Sequence, residues 1–582
     1  MKKVFAFTGV AGTAVQDSLV RLQRRLRGEV LIVSIDNILW DLFAADARNS
    51  SALRRESELS EQDIIPGSKP NWWQLLTMPK GCILHYWRRA AQQASLTVKK
   101  SKADIVLLTF HARYQSDAYR WRFCPCDPVV LRRFHIKGFF SLIDDVYNVH
   151  RRRPADLGSE KQISLHQEDP WRRAQTLVHQ TIESLSDLIH WRQEEISTTE
   201  DLASACEAPV HLFSIRHPLS TVVKLIENPN FAYYFSHPIT AIRRDPKFPH
   251  VQALDEIIDI SQRLRTQTTL IEPTAIDEYR FDSIELDGTK LFLPSLTQRW
   301  PYADNADELL GPPEKQETTV ACEFLCPPEN LKTPNVAEIF AQLRMKQNSG
   351  TPHEVQRAIS ETVKHFADVV GEDITWRDHA LVDQCKRLIV FRPAYLGIPS
   401  TGVRRELEYY RKLNVSARAL NKDQGEAPQT FNFIYHPPAD EVALSKHIAV
   451  QIVQAWGADP SIGSHLRPLL RPGTEDDLVS RLAEVLASTP DIVSAASKCA
   501  ALMADRVQPA VQDPAPMQQG KRAGVQERNR EILALLRRTA TTQIQALRYL
   551  PPMVADASLG VTISEDRFSL VRGVSSSEAL RR

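Results

Sequence analysis

The stretch KVFAFTGVAGTAVQDSLVRLQRRL, residues 3–26, sets the fold of the N-terminal part of the chain. Its first half, KVFAFTGV, is an apolar run of residues that favour strands. After a glycine-containing turn, apolar residues recur at helical spacing, namely Val15, Leu19, Leu22 and Leu26. The stretch therefore predicts a strand, a glycine turn and a helix, which together open an α/β fold.

Further short apolar runs repeat this alternation along the chain. The first series comprises VLIVSID at 30–36, ADIVLLTFHA at 103–112, KGFFSLIDD at 137–145 and PVHLFSIRHP at 209–218. The second comprises NFAYYFSHPIT at 230–240, RLIVF at 387–391 and QTFNFIYHPP at 429–438. Because helical stretches separate the runs, they predict parallel sheets with crossover helices.

We therefore predict an α/β protein with two parallel-sheet domains and a mainly helical C-terminal region. The predicted ranges are 1–228, 229–458 and 459–582. Further helices are expected near 336–347 and at 353–370, and the Pro/Gln-rich segment 507–524 is expected to be a linker.

Composition excludes several classes of partner. Lys and Arg number 72 and Asp and Glu 71, so the charge gives no reason to expect nucleic acid or an anionic membrane as the main partner. No run approaches the roughly 18 apolar residues of a membrane span. The eight cysteines lack the spacing of a zinc site. We expect a cytoplasmic protein with free thiols, no metal, no cofactor and no membrane segment.

The turn GVAGTAVQ, residues 9–16, stands where a phosphate-binding loop of the pattern G-x-x-x-x-G-K-[ST] would stand. Gly9 and Gly12 are present, but Val15 replaces the lysine that reaches the outer phosphates. Phosphoryl transfer at this turn is therefore not expected. Two alternatives stay open, because the helix amides could bind an anion or the turn could simply let the helix pack on the sheet.

Residues 1–225 resemble the P-loop nucleoside and nucleotide kinases of the adenylate-kinase-like family. Besides the glycine turn, the resemblance rests on FFSLIDDVYNVHRR at 139–152, LIHWRQEEI at 188–196 and HLFSIRHP at 211–218. It implies a degenerate nucleotide-binding site that holds a nucleotide or another phosphorylated effector. The residues implied are Gly9, Gly12, Thr13 and the acidic pair Asp144 and Asp145.

A second candidate site lies in GIPSTGVRREL, residues 397–407. A turn of small residues precedes a helix, and Glu406 stands in the first turns of that helix. Glutamate there favours the helix dipole, so an ordinary solvated helix residue is one interpretation. The other is that Glu406 is a reactive carboxylate beside amides that bind an anion.

The region 230–415 resembles the nucleoside 2-deoxyribosyltransferase superfamily, in particular its 2'-deoxynucleoside 5'-monophosphate N-glycosidase branch. The resemblance rests on YYFSHPITAIRR at 233–244, WRDHALVDQCKRLIVFRP at 376–393 and PSTGVRREL at 399–407. It implies that Glu406 and Asp378 are catalytic. It also implies that the substrate-binding residues are Ser400, Gly402, Val403, Arg243, Arg244 and His237.

This resemblance predicts cleavage of the bond between base and sugar. A carboxylate below the sugar C1' can stabilise or capture the positive charge that develops there, while a second carboxyl group assists the departing base. Serine at position 400 favours a phosphorylated substrate, because transferases that act on free nucleosides generally carry aspartate there. Lys386, His237 and Pro238 depart from the family pattern in the local network and in the opening loop.

Two other functions remain open at this stage. The chain could transfer deoxyribose between bases, or it could be a non-catalytic nucleotide sensor or assembly scaffold. The joined domains suggest that a ligand of the first domain controls nucleotide destruction by the second, as in a bacterial stress or antiviral effector. We also expect a homo-oligomer, because sites of the second family are commonly completed by a neighbouring subunit.

Overall fold

The computed structural model describes most, but not all, of the chain. The described residues are 2–56, 72–116, 121–152, 170–227, 232–276, 278, 281–286, 289–294, 309–310, 353–385, 387–392, 394–420, 432–435, 438–459, 474–489, 492–507, 519–547, 561–564 and 567–570. Within these ranges no helix is both long and apolar enough to cross a membrane.

Strands and helices alternate through the first part of the chain. The strands are β1 (Lys3–Thr8), β2 (Val30–Ser34), β3 (Ile105–Thr109), β4 (Tyr114–Ser116), β5 (Trp121–Phe123), β6 (Ile136–Ile143) and β7 (Val210–Ser214). The helices are α1 (Val15–Arg25), α2 (Ile35–Asn49), α3 (Ser51–Glu56), α4 (Trp72–Leu76), α5 (Lys80–Lys100), α6 (Pro128–Arg132), α7 (Val146–Arg152), α8 (Pro170–Ala205) and α9 (Leu219–Glu227).

The remainder of the chain contains longer helices. Its strands are β8 (Ala232–Ser236), β9 (Thr269–Ile271), β10 (Phe281–Leu286), β11 (Thr289–Pro294), β12 (Arg387–Phe391), β13 (Ala394–Tyr395), β14 (Ile398–Pro399), β15 (Asn432–Tyr435), β16 (Val561–Ser564) and β17 (Arg567–Leu570). Its helices are α10 (Ile239–Arg243), α11 (Gln252–Gln267), α12 (His353–Asp383), α13 (Thr401–Leu420), α14 (Pro438–Ala458), α15 (Thr474–Ser488), α16 (Ile492–Val507) and α17 (Gln519–Leu547).

The chain forms two compact units, and each unit contains two chain segments. The first unit consists of Met1–Ala232 and Thr268–Cys385, and the second of Tyr233–Gln267 and Lys386–Arg582. The first boundary lies close to the predicted one at 228. The predicted domains, however, were contiguous ranges.

The first unit contains a five-stranded parallel sheet in the order β2-β3-β1-β6-β7. The central strand β1 is apolar and buried from Val4 to Phe7, as expected for a strand covered on both faces. Parallel pairing brings the carboxyl ends of all five strands to one edge. The predicted α/β class and its parallel strands are confirmed here.

Two apolar clusters form much of the core of the first unit. The first joins the sheet to α2 and α5 around the large side chains of Trp40, Phe43 and Trp87. The second joins α7 and α8 to α12, with Val178, Ile182 and Phe366 fully or almost fully buried. Helix α12 therefore belongs to the core of the first unit.

The second unit has its own parallel strands and a separate helical core. Strand β12 pairs in parallel with β15 and with β8. Helices α14 to α17 share an apolar cluster centred on Trp456, whose indole N–H donates to the carbonyl oxygen of Leu536 at 3.1 Å. The C-terminal helices are thus packed against α14.

The described residues also differ from the sequence-based expectations in detail. The helix expected at 353–370 continues to Asp383 as α12. Helix α17 begins at Gln519, so the predicted linker 507–524 is partly helical. Strands β16 and β17 form an antiparallel pair in the region expected to be helical. The helix expected at 336–347 lies outside the described residues.

Candidate functional site

The candidate site of the second unit lies at the carboxyl end of β8 and the start of α13. Ser236 is the last residue of β8 and pairs with Val390 of β12. Ser400 starts α13, since its carbonyl oxygen accepts from the Arg404 N–H at 3.1 Å and its hydroxyl accepts from the Val403 N–H at 3.4 Å. Because Ser400 caps the helix, Glu406 lies in its second turn.

Glu406 is a buried carboxylate held by hydroxyl groups. The residue is only 7% exposed. The Tyr234 hydroxyl donates to Glu406 Oε1 at 2.8 Å, and the Ser236 hydroxyl donates to Oε2. The interpretation of Glu406 as a solvated helix residue is therefore wrong. Burial removes water from the carboxylate, and the two hydroxyl groups fix its orientation.

Tyr234 and Ser236 are functional candidates that we did not single out from the sequence. They are two residues apart in β8 and therefore face the same side of the strand. Both lie about 170 positions from Glu406 in the chain. The available signal was the polar serine at the carboxyl end of an otherwise apolar strand.

The predicted residues of the α13 turn have different environments. Val403 is a buried core residue, whereas Gly402 is exposed. A Cβ at Gly402 would meet nothing closer than Ser400 Oγ at 4.0 Å, so packing does not require glycine there. Within the described residues, the N–H groups of Thr401 and Gly402 have no hydrogen-bond acceptor. These exposed amides are the part of the predicted anion site that remains accessible.

The predicted residues of the opening loop follow β8 directly. His237 is buried, and its ring lies 5.1 Å from that of Phe235. Arg243 is buried at the end of α10, whereas Arg244 is exposed. Of the two arginines, only Arg243 has a side chain fixed by burial within the second unit.

Arg392 is a further buried cation in the second unit that the sequence did not point to. It follows the carboxyl end of β12, has a left-handed backbone with φ of 51°, and forms an ion pair with Glu256. A non-glycine residue in this conformation is uncommon and is often found near functional sites.

Asp378 belongs to the first unit, and Glu406 belongs to the second. Asp378 lies on α12, where Arg377 Nη2 is 3.4 Å from its Oδ1. Burial raises the pKa of Asp378 to about 6, against the opposing effect of the Arg377 guanidinium. The predicted pairing of these two carboxyl groups in catalysis stays a prediction.

Next to Asp378 lies a buried ion network within the first unit. Glu278 binds Arg192 at 2.6 Å and Arg377 at 3.2 Å, and it also accepts from the Val146 N–H at 2.7 Å. Arg192 additionally binds Asp373 at 2.5 Å. Although burial alone raises the pKa of Glu278, the two guanidinium groups lower it below its ordinary value. The network ties α7, α8 and α12 together.

The glycine turn of the first unit has strong steric constraints. A Cβ at Gly9 would lie 2.7 Å from the carbonyl oxygen of Leu142, so only glycine fits between β1 and β6. Gly12 has φ of 96° and Ala14 has φ of 58°. No side chain caps α1, and the buried Thr13 hydroxyl has no hydrogen-bond partner among the described residues. Close packing alone explains why residue 9 is glycine.

The carboxylates of the acidic pair after β6, Asp144 and Asp145, are bound by other groups of the protein. Asp144 forms ion pairs with Arg152 at 2.5 Å and with Arg216 at 3.4 Å, and Arg152 also donates to the carbonyl oxygen of Gly12 at 2.9 Å. Asp145 accepts from the Tyr147 N–H at 2.9 Å. Among the described residues, no cluster of three or more His, Cys, Asp or Glu side chains is arranged to bind a metal.

A third carboxylate binds the loops beside the glycine turn. Buried Glu195 accepts hydrogen bonds from the N–H groups of Gly9 at 3.2 Å, Ala112 at 2.8 Å and Arg113 at 2.6 Å. Burial raises the pKa of Glu195 to about 7, although the three amides and His111 act in the opposite direction. One amide of the predicted phosphate loop is thus already bound to a carboxylate.

Comparison with known proteins adds no relatives to this picture. No family model matches the chain, and no curated protein is significantly similar to it. The resemblances to the two families therefore depend on the motifs quoted above.

Proposed function

We propose that the second unit is an N-glycosidase that cleaves the bond between base and sugar in nucleoside 5'-monophosphates. The observation that carries the proposal is the buried Glu406 carboxylate, which Tyr234 and Ser236 hold by hydrogen bonds to both oxygens. In this proposal Glu406 stabilises or captures the cation that forms at the sugar C1'.

The environment of Glu406 suits that role. Hydroxyl donors orient a carboxylate without neutralising its charge, and a site with little water strengthens its interaction with a developing cation. Fixed orientation also removes part of the entropic cost of reaching the reactive geometry. Tyr234 and Ser236 act as positioning residues in this scheme.

The position of Glu406 beside the carboxyl end of β8 gives independent support. Ligands of parallel α/β sheets bind outside the carboxyl ends of the strands, which is where Ser236 meets Glu406. The exposed amides of Thr401 and Gly402 lie at the N-terminus of α13 and suit a 5'-phosphate. Arg243, which the resemblance implies as a substrate-binding residue, is buried at the end of α10.

Asp378 is the second carboxyl group that the family resemblance implies, and it belongs to the first unit. With a pKa near 6, its side chain can hold a proton close to neutral pH, as a group that protonates a leaving base must. The Asp378→Asn variant tests this role, and a fall in base release without loss of folding would support it.

For the first unit we propose binding of a nucleotide or another phosphorylated effector without phosphoryl transfer. The connection after β1 leads to β2 on one side of the sheet, and the connection after β6 leads to β7 on the other. Such a switch point forms a ligand crevice at the carboxyl ends of β1 and β6. Val15 replaces the lysine, and Asp144 is bound by arginines, so catalysis of transfer is not expected.

The experiment that tests the glycosidase is incubation of the full chain with nucleosides, nucleoside 5'-monophosphates and NAD, followed by chromatography of the products. We expect free base, released faster from monophosphates than from nucleosides. A free acceptor base that raises turnover and yields a new nucleoside would favour the transferase instead. Absence of base release from every compound would contradict the proposal and leave a sensor or scaffold.

A further inference from the structure

A cluster of titratable side chains lies at the carboxyl ends of β2 and β3 and has no part in the proposed glycosidase. Asp36 is the second residue of α2, directly after β2, and His111 follows the end of β3. Parallel pairing of Ser34 with Thr109 brings these two strand ends together. The cluster is therefore at the edge where parallel sheets bind ligands.

Hydrogen bonds to Asp36 fix the state of the His111 ring. Buried Asp36 accepts from the His111 N–H at 3.1 Å and from ring Nδ1 at 2.7 Å through Oδ2, and from the Tyr114 hydroxyl at 2.6 Å through Oδ1. A carboxylate can only accept, so Nδ1 carries a proton. In the neutral ring, Nε2 therefore carries the free lone pair.

His111 is accessible while Asp36 is not. The His111 side chain is 32% exposed, against 8% for Asp36. Within the described residues Nε2 has no hydrogen-bond partner. Burial lowers the pKa of His111, but Asp36 and Glu195 outweigh it and raise the pKa above its ordinary value. The ring is thus oriented and within reach of a ligand, and its neutral form, in which Nε2 can accept, is the form present above this raised pKa.

The loop that carries His111 is joined to the glycine turn. Glu195 Oε1 accepts from both the Ala112 N–H and the Gly9 N–H, so the two loops meet at one oxygen atom. Helix α1 starts after that turn without a side-chain cap, and uncapped helix amides suit a phosphate. A ligand with both a phosphate and a hydroxyl group fits this combination of donors and acceptor.

We propose that His111 Nε2 is the proton-accepting contact for a sugar hydroxyl of a phosphorylated sugar, either free or within a nucleotide, bound at this edge of the first unit. The lone pair on Nε2 can accept from a donor, and a sugar hydroxyl is the donor that accompanies a phosphate in such ligands. Asp36 is a positioning residue that sets the tautomer. The proposal extends the proposed effector site and does not depend on Glu406.

The competing explanation is that the His111 ring only fastens its loop to Asp36. Two substitutions separate the roles, because an asparagine amide can replace Nδ1 and a glutamine amide can replace Nε2. His111→Asn keeps a donor to Asp36 and removes Nε2, so it should weaken the ligand about tenfold or more while the melting temperature stays close to that of the parent. His111→Gln keeps a polar group near Nε2 but loses the bond to Asp36, so stability should fall more than with asparagine.

The test uses the full chain carrying Glu406→Gln, so that the second unit does not consume the probes. Proteins with ¹³C-labelled histidine are titrated with ribose 5-phosphate, adenosine 5'-monophosphate or inorganic phosphate, and the His111 ring signal is assigned by its absence in His111→Asn. We expect saturable shifts with both sugar phosphates and none with phosphate alone. Tighter binding of the monophosphate would identify a nucleotide, and equal binding would identify the sugar phosphate.

Three results would overturn the proposal. The His111 signal could be unmoved by either sugar phosphate, inorganic phosphate could move it equally, or calorimetry could show the same affinity for ribose 5-phosphate in His111→Asn as in its parent. Base release by the chain with Glu406 intact is measured separately. Failure of the glycosidase proposal therefore remains distinguishable from failure of this one.

Discussion

Asp144 and Glu406 both lie at the carboxyl edge of a parallel sheet, but the protein treats the two carboxylates differently. Asp144 follows β6 and forms ion pairs with Arg152 and Arg216. Glu406 contacts the end of β8, where hydroxyl groups of Tyr234 and Ser236 hold it. Guanidinium partners compensate the charge of Asp144, whereas the hydroxyl groups of Tyr234 and Ser236 orient Glu406 by hydrogen bonds.

This difference favours a structural role for Asp144 and the proposed reactive role for Glu406 more than residue identity does. Both residues are acidic, buried and part of a family-like motif, so the motifs alone treat them alike. Their partners predict opposite consequences of substitution. Loss of charge in the network around Asp144 and Glu278 should reduce folding stability, and loss of charge at Glu406 should reduce activity.

The largest expected effect is on activity at Glu406. Glu406→Gln keeps the size of the side chain and one acceptor oxygen but removes the charge, so base release should fall roughly a thousandfold or more. Because the side chain is buried and hydrogen-bonded, the free energy of unfolding should fall by only about 1 kcal/mol. Chromatographic rates and thermal unfolding measure the two effects.

Glu408→Gln is the matched control for this substitution. Glu408 is in the same helix, its side chain is 55% exposed, and it lies 3.9 Å from Arg404. Its replacement should leave base release at the parent rate. Two results would indicate that Glu406 is only structural. Glu406→Gln could release base at the wild-type rate, or its free energy of unfolding could fall enough to explain the loss of activity.

The next largest effect is on stability at Glu278. Glu278→Gln removes the charge that compensates Arg192 and Arg377 in the interior, which should lower the free energy of unfolding by about 3–5 kcal/mol. Denaturant unfolding measures this change. Asp259→Asn is the control, because Asp259 and Arg263 form a pair whose side chains are 55% and 51% exposed. That pair should contribute less than about 1 kcal/mol to the free energy of unfolding. Equal losses in Glu278→Gln and Asp259→Asn would contradict the structural role given to the buried network.

A pH effect of intermediate size is expected at His211 in β7. Burial lowers the pKa of His211 to about 4, and the ring lies 5.2 Å from that of Phe140. Between pH 6.5 and 4 the unfolded chain binds a proton at this histidine that the folded chain does not, so the contribution of His211 to stability falls by about 3 kcal/mol as the pH is lowered. His211→Phe should flatten the dependence of unfolding free energy on pH. Phe140→Leu should lower stability at every pH without flattening it, and an unchanged slope in His211→Phe would refute the assignment.

The smallest effect is expected at Ser400. Ser400→Ala removes the hydroxyl that accepts from the Val403 N–H at 3.4 Å, so stability should fall by about 1 kcal/mol or less. If the hydroxyl also binds the 5'-phosphate, the advantage of a monophosphate over its nucleoside should narrow as well. Steady-state constants for both substrates test this, and a preference that stays at the wild-type value would assign Ser400 to capping alone.

Local sequence patterns predicted much of the fold. Apolar runs such as KVFAFT and RLIVF became β1 and β12, and the alternation with helices correctly predicted parallel sheets. The division of the chain into compact units could not be predicted in this way. Residues Thr268–Cys385 join the first unit through contacts of α12 with α8, and a pattern within one segment carries no information about such distant packing.

The candidate site was predicted in part for the same reason. Glu406 and Ser400 stand in one short motif, so their proximity follows from the helix that joins them. Tyr234 and Ser236 meet Glu406 only after the strand and the helix have packed. The ion pairs of Asp144 with Arg152 and Arg216 likewise form between separate elements, and a charge count in the sequence does not reveal which charges become paired.

The interleaved path of the first unit bears on how the chain folds during synthesis. The apolar residues of α8, including Val178, Ile182 and Ile189, are buried against α12, which begins only at His353. At about 5–20 residues per second, the ribosome needs on the order of ten seconds to make the intervening chain. During that interval the nascent helix lacks the surface that will cover it. We expect a polypeptide ending near residue 228 to leave that apolar stripe uncovered and therefore to aggregate more readily than the full chain.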